Sequence, residues 1–177
     1  EVGYYGVAQR LTYLQTAPVI LLSVILSPRL SSARAAKRFG QFNRLFFGAL
    51  AFSVVASLPL GAILFLGRDS IISLLFGSTY LDAAPVLSVL VLSQIVAALT
   101  IPTTSLLLMA GEQNKFGMVM GSALLFNVAL NFWLVPIHGA LGAAIATTCV
   151  MSLLFAAQLS NVFKVMAKDS ADKKSGN

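Results

Sequence analysis

The sequence has 177 residues, of which 58% are hydrophobic and only 10% charged, with a formal net charge of +6 and a mean hydropathy of +0.87. Soluble domains carry roughly 25% charged residues, so this chain has too little polar material to cover a water-facing surface, which excludes an ordinary soluble fold. A lone cysteine, Cys149, excludes an internal disulfide and reads as a small packing residue.

The charges are spaced in a telling way. Uncharged stretches run from Arg10 to Arg29, Arg44 to Arg68, Asp82 to Glu112, Lys115 to His138, and His138 to Lys164. Each is close to, or longer than, the roughly 20 apolar residues that carry an α-helix across about 30 Å of hydrocarbon. Segments such as LFFGALAFSVVASLPLGAILFL and FGMVMGSALLFNVALNFWLV lack the alternation of a transmembrane β-barrel. A helix satisfies its own backbone hydrogen bonds in lipid. The expected class is therefore all-α, a polytopic membrane protein of five transmembrane helices.

In chain order, the pattern predicts helices over about 7–27, 46–67, 85–109, 116–135 and 139–161. Pro28 is expected to end the first. The basic segment 29–44 then lies along the headgroup region, with Phe39 and Phe42 toward the acyl boundary. A longer connection, 68–84, precedes the third helix, which Asp82 and Pro85 are placed to open. GEQNK forms a tight connection and PIHG a hairpin turn between the last two helices. The transmembrane part spans 1–163, and the polar tail 164–177 is expected to be disordered.

Lys and Arg set the orientation. Arg29, Arg34, Lys37, Arg38, Arg44, Lys115, Lys164, Lys168, Lys173 and Lys174 share one side if all five helices span, against Arg10 and Arg68 on the other. The bias puts the carboxyl terminus in the cytoplasm, and topology rather than nucleic-acid binding accounts for the net charge. The chain starts with Glu1 and has no basic leader followed by a cleavage site. With an odd number of helices, a carboxyl-terminal piece of a longer protein is expected.

Polar residues at bilayer depth are the functional candidates, because each must pair or face a watery cavity. Gln9, Arg10, Thr12, Tyr13 and Gln15 cluster at the outer end of the first helix. Arg10 reads either as a cavity cation for an anionic substrate or as an interfacial anchor that snorkels. Asn127 and Asn131, four apart, share a helix face and read as cavity lining or as hydrogen-bonding glue between helices. Gln94 belongs to the third helix, as do Thr100, Thr103, Thr104 and Ser105, with Pro102 among them as a hinge candidate. Gly117 with Gly121, and Gly139 with Gly142 and Ala146, read as close-packing faces. His138 has no partner set for a metal. Paired carboxylates, a nucleophile with its base, a phosphate-cradling loop and ligand-spaced cysteines are all absent, so neither an enzyme nor a cofactor is expected.

Three stretches carry a family resemblance: EVGYYGVAQRL, FGSTYLDAAPVLSVLVLSQIVAALTIPTTSLLLMAGEQNK and NVALNFWLVPIHGALGAAIATT. Together they resemble the carboxyl-terminal lobe of bacterial polysaccharide (O-antigen type) flippases, within the multidrug/oligosaccharidyl-lipid/polysaccharide exporter superfamily. The resemblance covers about residues 1–163. It implies that the five helices form most of one lobe of a transporter of 12–14 helices, the amino-terminal lobe being absent here. It implies translocation of undecaprenyl-diphosphate-linked oligosaccharide from the cytoplasmic to the periplasmic leaflet of the bacterial inner membrane, with H+ or Na+ as a possible coupling ion. Arg10 matches the position of a cavity cation. Alternatives are multidrug or small-cation efflux, a lipid-linked peptidoglycan precursor flippase and, outside transport, a membrane scaffold.

Overall fold

A computed structural model describes the backbone of residues 2–175 and the side chains of residues 3–169. Among these residues all regular structure is helical. The elements are α1 (Val2–Ala35), α2 (Phe39–Leu66), α3 (Arg68–Phe76), a 3-10 turn (Ser78–Ala83), α4 (Ala84–Met109) and α5 (Gln113–Ser175).

Four helices, not the five expected, are long and apolar enough to cross a membrane: Gly3–Ala35, Phe39–Leu66, Ser78–Met109 and Gln113–Asp169. The fourth and fifth expected helices form one run, interrupted where Gly139 leaves helical geometry at φ 57°, ψ −133°. A side chain is strongly disfavoured in that region of backbone space. The contacts show that this run is no single rod. Its second arm, 140–175, lies parallel to α4: Thr148 donates to the carbonyl of Val89, Thr103 to Gln158, and Val162 and Val165 pack with Leu106 and Leu107. The first arm, 113–138, begins at the far end of α4. It must retrace that helix before the second arm can start beside Val86 and Leu87, where Ala140, Leu141 and Ala144 pack. The chain therefore reverses at Gly139.

Three further expectations change. Pro28 does not end α1; both Pro18 and Pro28 lie inside it. Leu26, Leu30 and Ala33 are buried against Phe42, Phe46 and Leu106, and this packing carries the helix across the proline. Segment 29–44 is accordingly no separate element but the end of α1, a tight turn with Lys37 at φ 54°, and the start of α2. Connection 68–84 holds α3 and the 3-10 turn. Nor is the tail disordered where it is described: α5 runs to Ser175, with Val165 and Met166 buried and Asp169 paired to Arg34 at 3.2 Å. Residues 176 and 177 lie outside the described residues.

Two cores hold the bundle. At one end Ala8, Leu11, Leu64, Ile72, Leu87, Leu90 and Val91 pack beneath α3. At the other, Leu30, Phe42, Phe46, Leu106, Leu107 and Val162 do so beside the α1–α2 turn. Large apolar side chains point outward between these ends, among them Leu21, Val24, Val55, Leu125 and Phe132. Lipid is as apolar as these side chains, so their exposure carries no cost in a bilayer, and tight packing with hydrogen bonds associates the helices.

Candidate functional site

The polar residues of α1 divide between two faces. Thr12, Gln15 and Thr16 are buried toward the bundle, and both threonine hydroxyls donate to carbonyls three residues back, Gln9 and Tyr13. Gln15 donates from Nε2 to the carbonyl of Ser57 at 3.4 Å, while its Oε1 has no partner. Gly61 makes room for it: a Cβ there would stand 2.6 Å from Gln15 Nε2. The other face carries Gln9, Arg10 and Tyr13. Gln9 Nε2 donates to the Tyr13 hydroxyl at 2.9 Å, and both Arg10 and Tyr13 are exposed. Arg10 has no ion pair or hydrogen bond among the described residues, and between Glu1 and Asp69 the sequence holds no acidic residue.

The structure does not bring the other sequence candidates to Arg10 through any hydrogen bond. Asn131 Nδ2 donates to both the carbonyl and the Oδ1 of Asn127, at 2.8 and 2.9 Å. The asparagines therefore satisfy one another within a single helix. Gln94 is half-buried in α4 without a hydrogen bond among the described residues. Pro102 is buried in α4, beside a gap too narrow for water that Val19, Leu22, Leu26, Ala49 and Ser53 also line. The glycines separate as well. A Cβ on Gly117 or Gly121 would meet nothing within 4 Å, whereas one on Gly142 would run into the carbonyl oxygen of Leu134. Ala146 is fully buried.

Sequence reasoning passed over two residues that join helices through polar contacts. Gln158 is fully buried, and its Oε1 accepts from Thr103 at 2.8 Å and Thr104 at 3.1 Å, tying the second arm of α5 to α4. Its signal was available, since Gln158 is the one long polar side chain in the uncharged stretch from His138 to Lys164. Asp169 had been assigned to the tail. Its pairing with Arg34 joins positions 135 residues apart in the chain, which no local pattern announces.

Among the described residues no group of three His, Cys, Asp or Glu side chains is placed to hold a metal. What remains is a bundle with an apolar exterior, a polar face on α1 and buried side-chain hydrogen bonds between helices. The family model MatE matches residues 1–133. The chain belongs to the MatE family. This places it in the multidrug/oligosaccharidyl-lipid/polysaccharide exporter superfamily, as a member of a family of transporters. MatE superfamily members are typically ion-coupled antiporters. No curated protein and no solved structure matched the chain. The matched region takes in α1 to α4 and most of the first arm of α5, so all the α1 and α4 candidates and the paired asparagines fall inside it.

Proposed function

We propose that this MatE chain forms the carboxyl-terminal lobe of a two-lobed flippase that moves undecaprenyl-diphosphate-linked oligosaccharide to the periplasmic leaflet of the bacterial inner membrane. In this reading each arm of α5 crosses once, giving five crossings. The end bearing Arg29, Arg34, Lys37, Arg38, Arg44, Lys115, Lys164 and Lys168 then faces the cytoplasm. The amino-terminal lobe closes the other side of the cavity, and H+ or Na+ supplies the coupling.

Arg10 carries this reading. An exposed guanidinium without an anionic partner, within a span otherwise uncharged from Val2 to Pro28, is costly unless an anion or water meets it. A diphosphate is such an anion, and Arg presents a planar fork of donors that fits phosphate oxygens. The sugar and diphosphate cannot cross hydrocarbon without losing their water. A polar face between two lobes gives them a route while the polyprenyl chain stays in lipid, and rocking of one lobe against the other completes transfer. No bond need change.

The test replaces Arg10 with Ala and with Lys in the complete transporter. Membrane abundance is matched, and delivery of lipid-linked sugar is measured in cells lacking their own flippase. Loss in Arg10→Ala with substantial recovery in Arg10→Lys is the expected result. Full delivery by both variants would make Arg10 an interfacial anchor and remove the observation on which the substrate class rests. Failure of the unmodified transporter to deliver sugar would favour efflux of small molecules instead.

A further inference from the structure

At the end of the bundle opposite the α1–α2 turn, a cavity of about 520 Å³ opens between α3, α4 and the start of the second arm of α5. Arg68, Asp69, Leu81, Ala84, Pro85, Ser88, Val89 and Leu141 line it. One half of that lining is apolar wall. The other is polar, made of the Arg68 guanidinium, the Asp69 carboxylate and the Ser88 hydroxyl, and the guanidinium is held in place. Arg68 Nη1 donates to Ser88 Oγ at 3.2 Å, and Ser88 Oγ in turn donates to the carbonyl of Ala84 at 3.0 Å. The guanidinium carbon sits over the Phe65 ring, 5.5 Å from its centroid. Asp69 approaches Nε at 3.7 Å, from a side chain that is 68% exposed. That pair is long and well solvated, and contributes little. Of the five guanidinium donors, those on Nη2 have no partner among the described residues.

The depth of this cavity is marked independently. Tyr4 and Tyr80 meet edge to face at 5.9 Å and Phe76 packs on Tyr80, while Trp133, five residues before the exposed His138, is itself exposed. Tyr and Trp gather where the membrane meets water. All of these lie at the same end as α3, whose Leu74 and Leu75 point outward. A cation fixed at headgroup level above an apolar wall has the chemistry to hold a phosphate whose alkyl chain continues into the bilayer.

We propose that this cavity binds one membrane phospholipid, its phosphate taken by Arg68 Nη2 and Nη1 and its first methylenes laid along Pro85, Val89 and Leu141. The bound lipid wedges α3 against α4 and fixes the short helix in the interface. This site is separate from Arg10 and does not depend on the substrate proposed above, since any member of the fold that sits in a bilayer meets phospholipid.

The test is native mass spectrometry of the complete transporter, titrated with phosphatidylglycerol and, in parallel, with undecaprenyl phosphate. The variants are Arg68→Gln, which removes the charge and leaves a shorter polar side chain, and Val89→Trp, which fills the cavity and leaves the cation. Both should lose one tightly bound phosphatidylglycerol, with affinity lower by about fivefold or more, while their elution as intact transporter stays unchanged. Unaltered lipid binding in both variants overturns the site. Loss in Arg68→Gln alone overturns the cavity, since the cation then acts only as surface charge. Loss confined to undecaprenyl phosphate overturns the phospholipid as occupant. Sugar delivery is not the readout, so failure here leaves the Arg10 experiment intact.

Discussion

The two arms of α5 share a turn and a hydrophobic composition, yet they relate to the bundle in opposite ways. None of the residues 113–138 is buried; the half-exposed positions Phe116, Val119, Ala123, Asn127, Leu130, Asn131 and Leu134 form a single narrow stripe. In the second arm Ala144, Ala146, Val150, Leu154, Gln158, Val162, Val165 and Asp169 are all buried, a seam that repeats mostly every three or four residues. Polar groups follow the same division. The asparagines of the first arm bond to each other, and Gln158 of the second reaches α4. Two polar side chains four apart on a helix can satisfy each other locally, so they say little about what surrounds them. A solitary glutamine cannot, and its burial requires a partner on another helix.

The glycines give the largest test of this contrast. In Gly142→Ala the new methyl group is directed into the Leu134 carbonyl oxygen, with His138 Cβ only 3.2 Å away. The obstructing atoms are backbone rather than the end of a flexible side chain, so the chain must shift, and we expect a loss of about 3 kcal/mol, the upper part of the range for overpacking. A lowered thermal unfolding midpoint in detergent, with faster proteolysis between Pro136 and Gly142, would register it. Gly117→Ala, in open space on the first arm, should change stability by less than about 0.5 kcal/mol. Equal effects at the two positions would mean that the arms are packed alike, and the contrast would fail.

Gln158→Leu is the next effect in size. The substitution nearly keeps the volume but removes the acceptor shared by Thr103 and Thr104. Thr103 retains a bond to the carbonyl of Thr100, so chiefly Thr104 is left without a partner. Polar contacts between membrane helices average about 0.6 kcal/mol and reach about 1.7 kcal/mol; a loss near 1 kcal/mol is expected, read from reversible unfolding in mixed micelles. No loss would show that α4 and the second arm are held by apolar packing alone.

The fold class was readable because charge spacing and hydropathy reflect the membrane itself, a constraint uniform along the chain. The long charge gaps overlap the long helices α1, α2, α4 and α5. The errors fall where a distant contact overrides a local signal. Pro28 is a stop in isolation, but Leu30 and Ala33 buried against Phe42 and Phe46 extend the helix through it. Lys164 to Asp169 read as solvated tail until Arg34 supplies a counter-charge. Of the site, Arg10 was legible as an isolated charge in a long apolar run. The mutual satisfaction of Asn127 and Asn131 was not, because the same spacing serves a cavity face, a helix interface and a local pair equally well.

That ambiguity sets the smallest and most selective prediction. Asn131→Leu removes both bonds to Asn127 without touching another helix. Oδ1 of Asn127 loses its partner, but the side chain is half-exposed and can turn outward, and the backbone carbonyl keeps its helical hydrogen bond. The cost should stay below about 0.6 kcal/mol, under that of Gln158→Leu in the same micelles. Sugar delivery by the complete transporter then separates the remaining roles. Unchanged stability with lost delivery would place the amides on the substrate path, where their pairing in the bundle is a resting arrangement. Unchanged stability with unchanged delivery would leave them as a self-contained polar pair. A destabilisation as large as that of Gln158→Leu would instead show that the exposed face of the first arm meets a polar partner in the complete protein, and the difference between the arms would be one of assembly rather than of sequence.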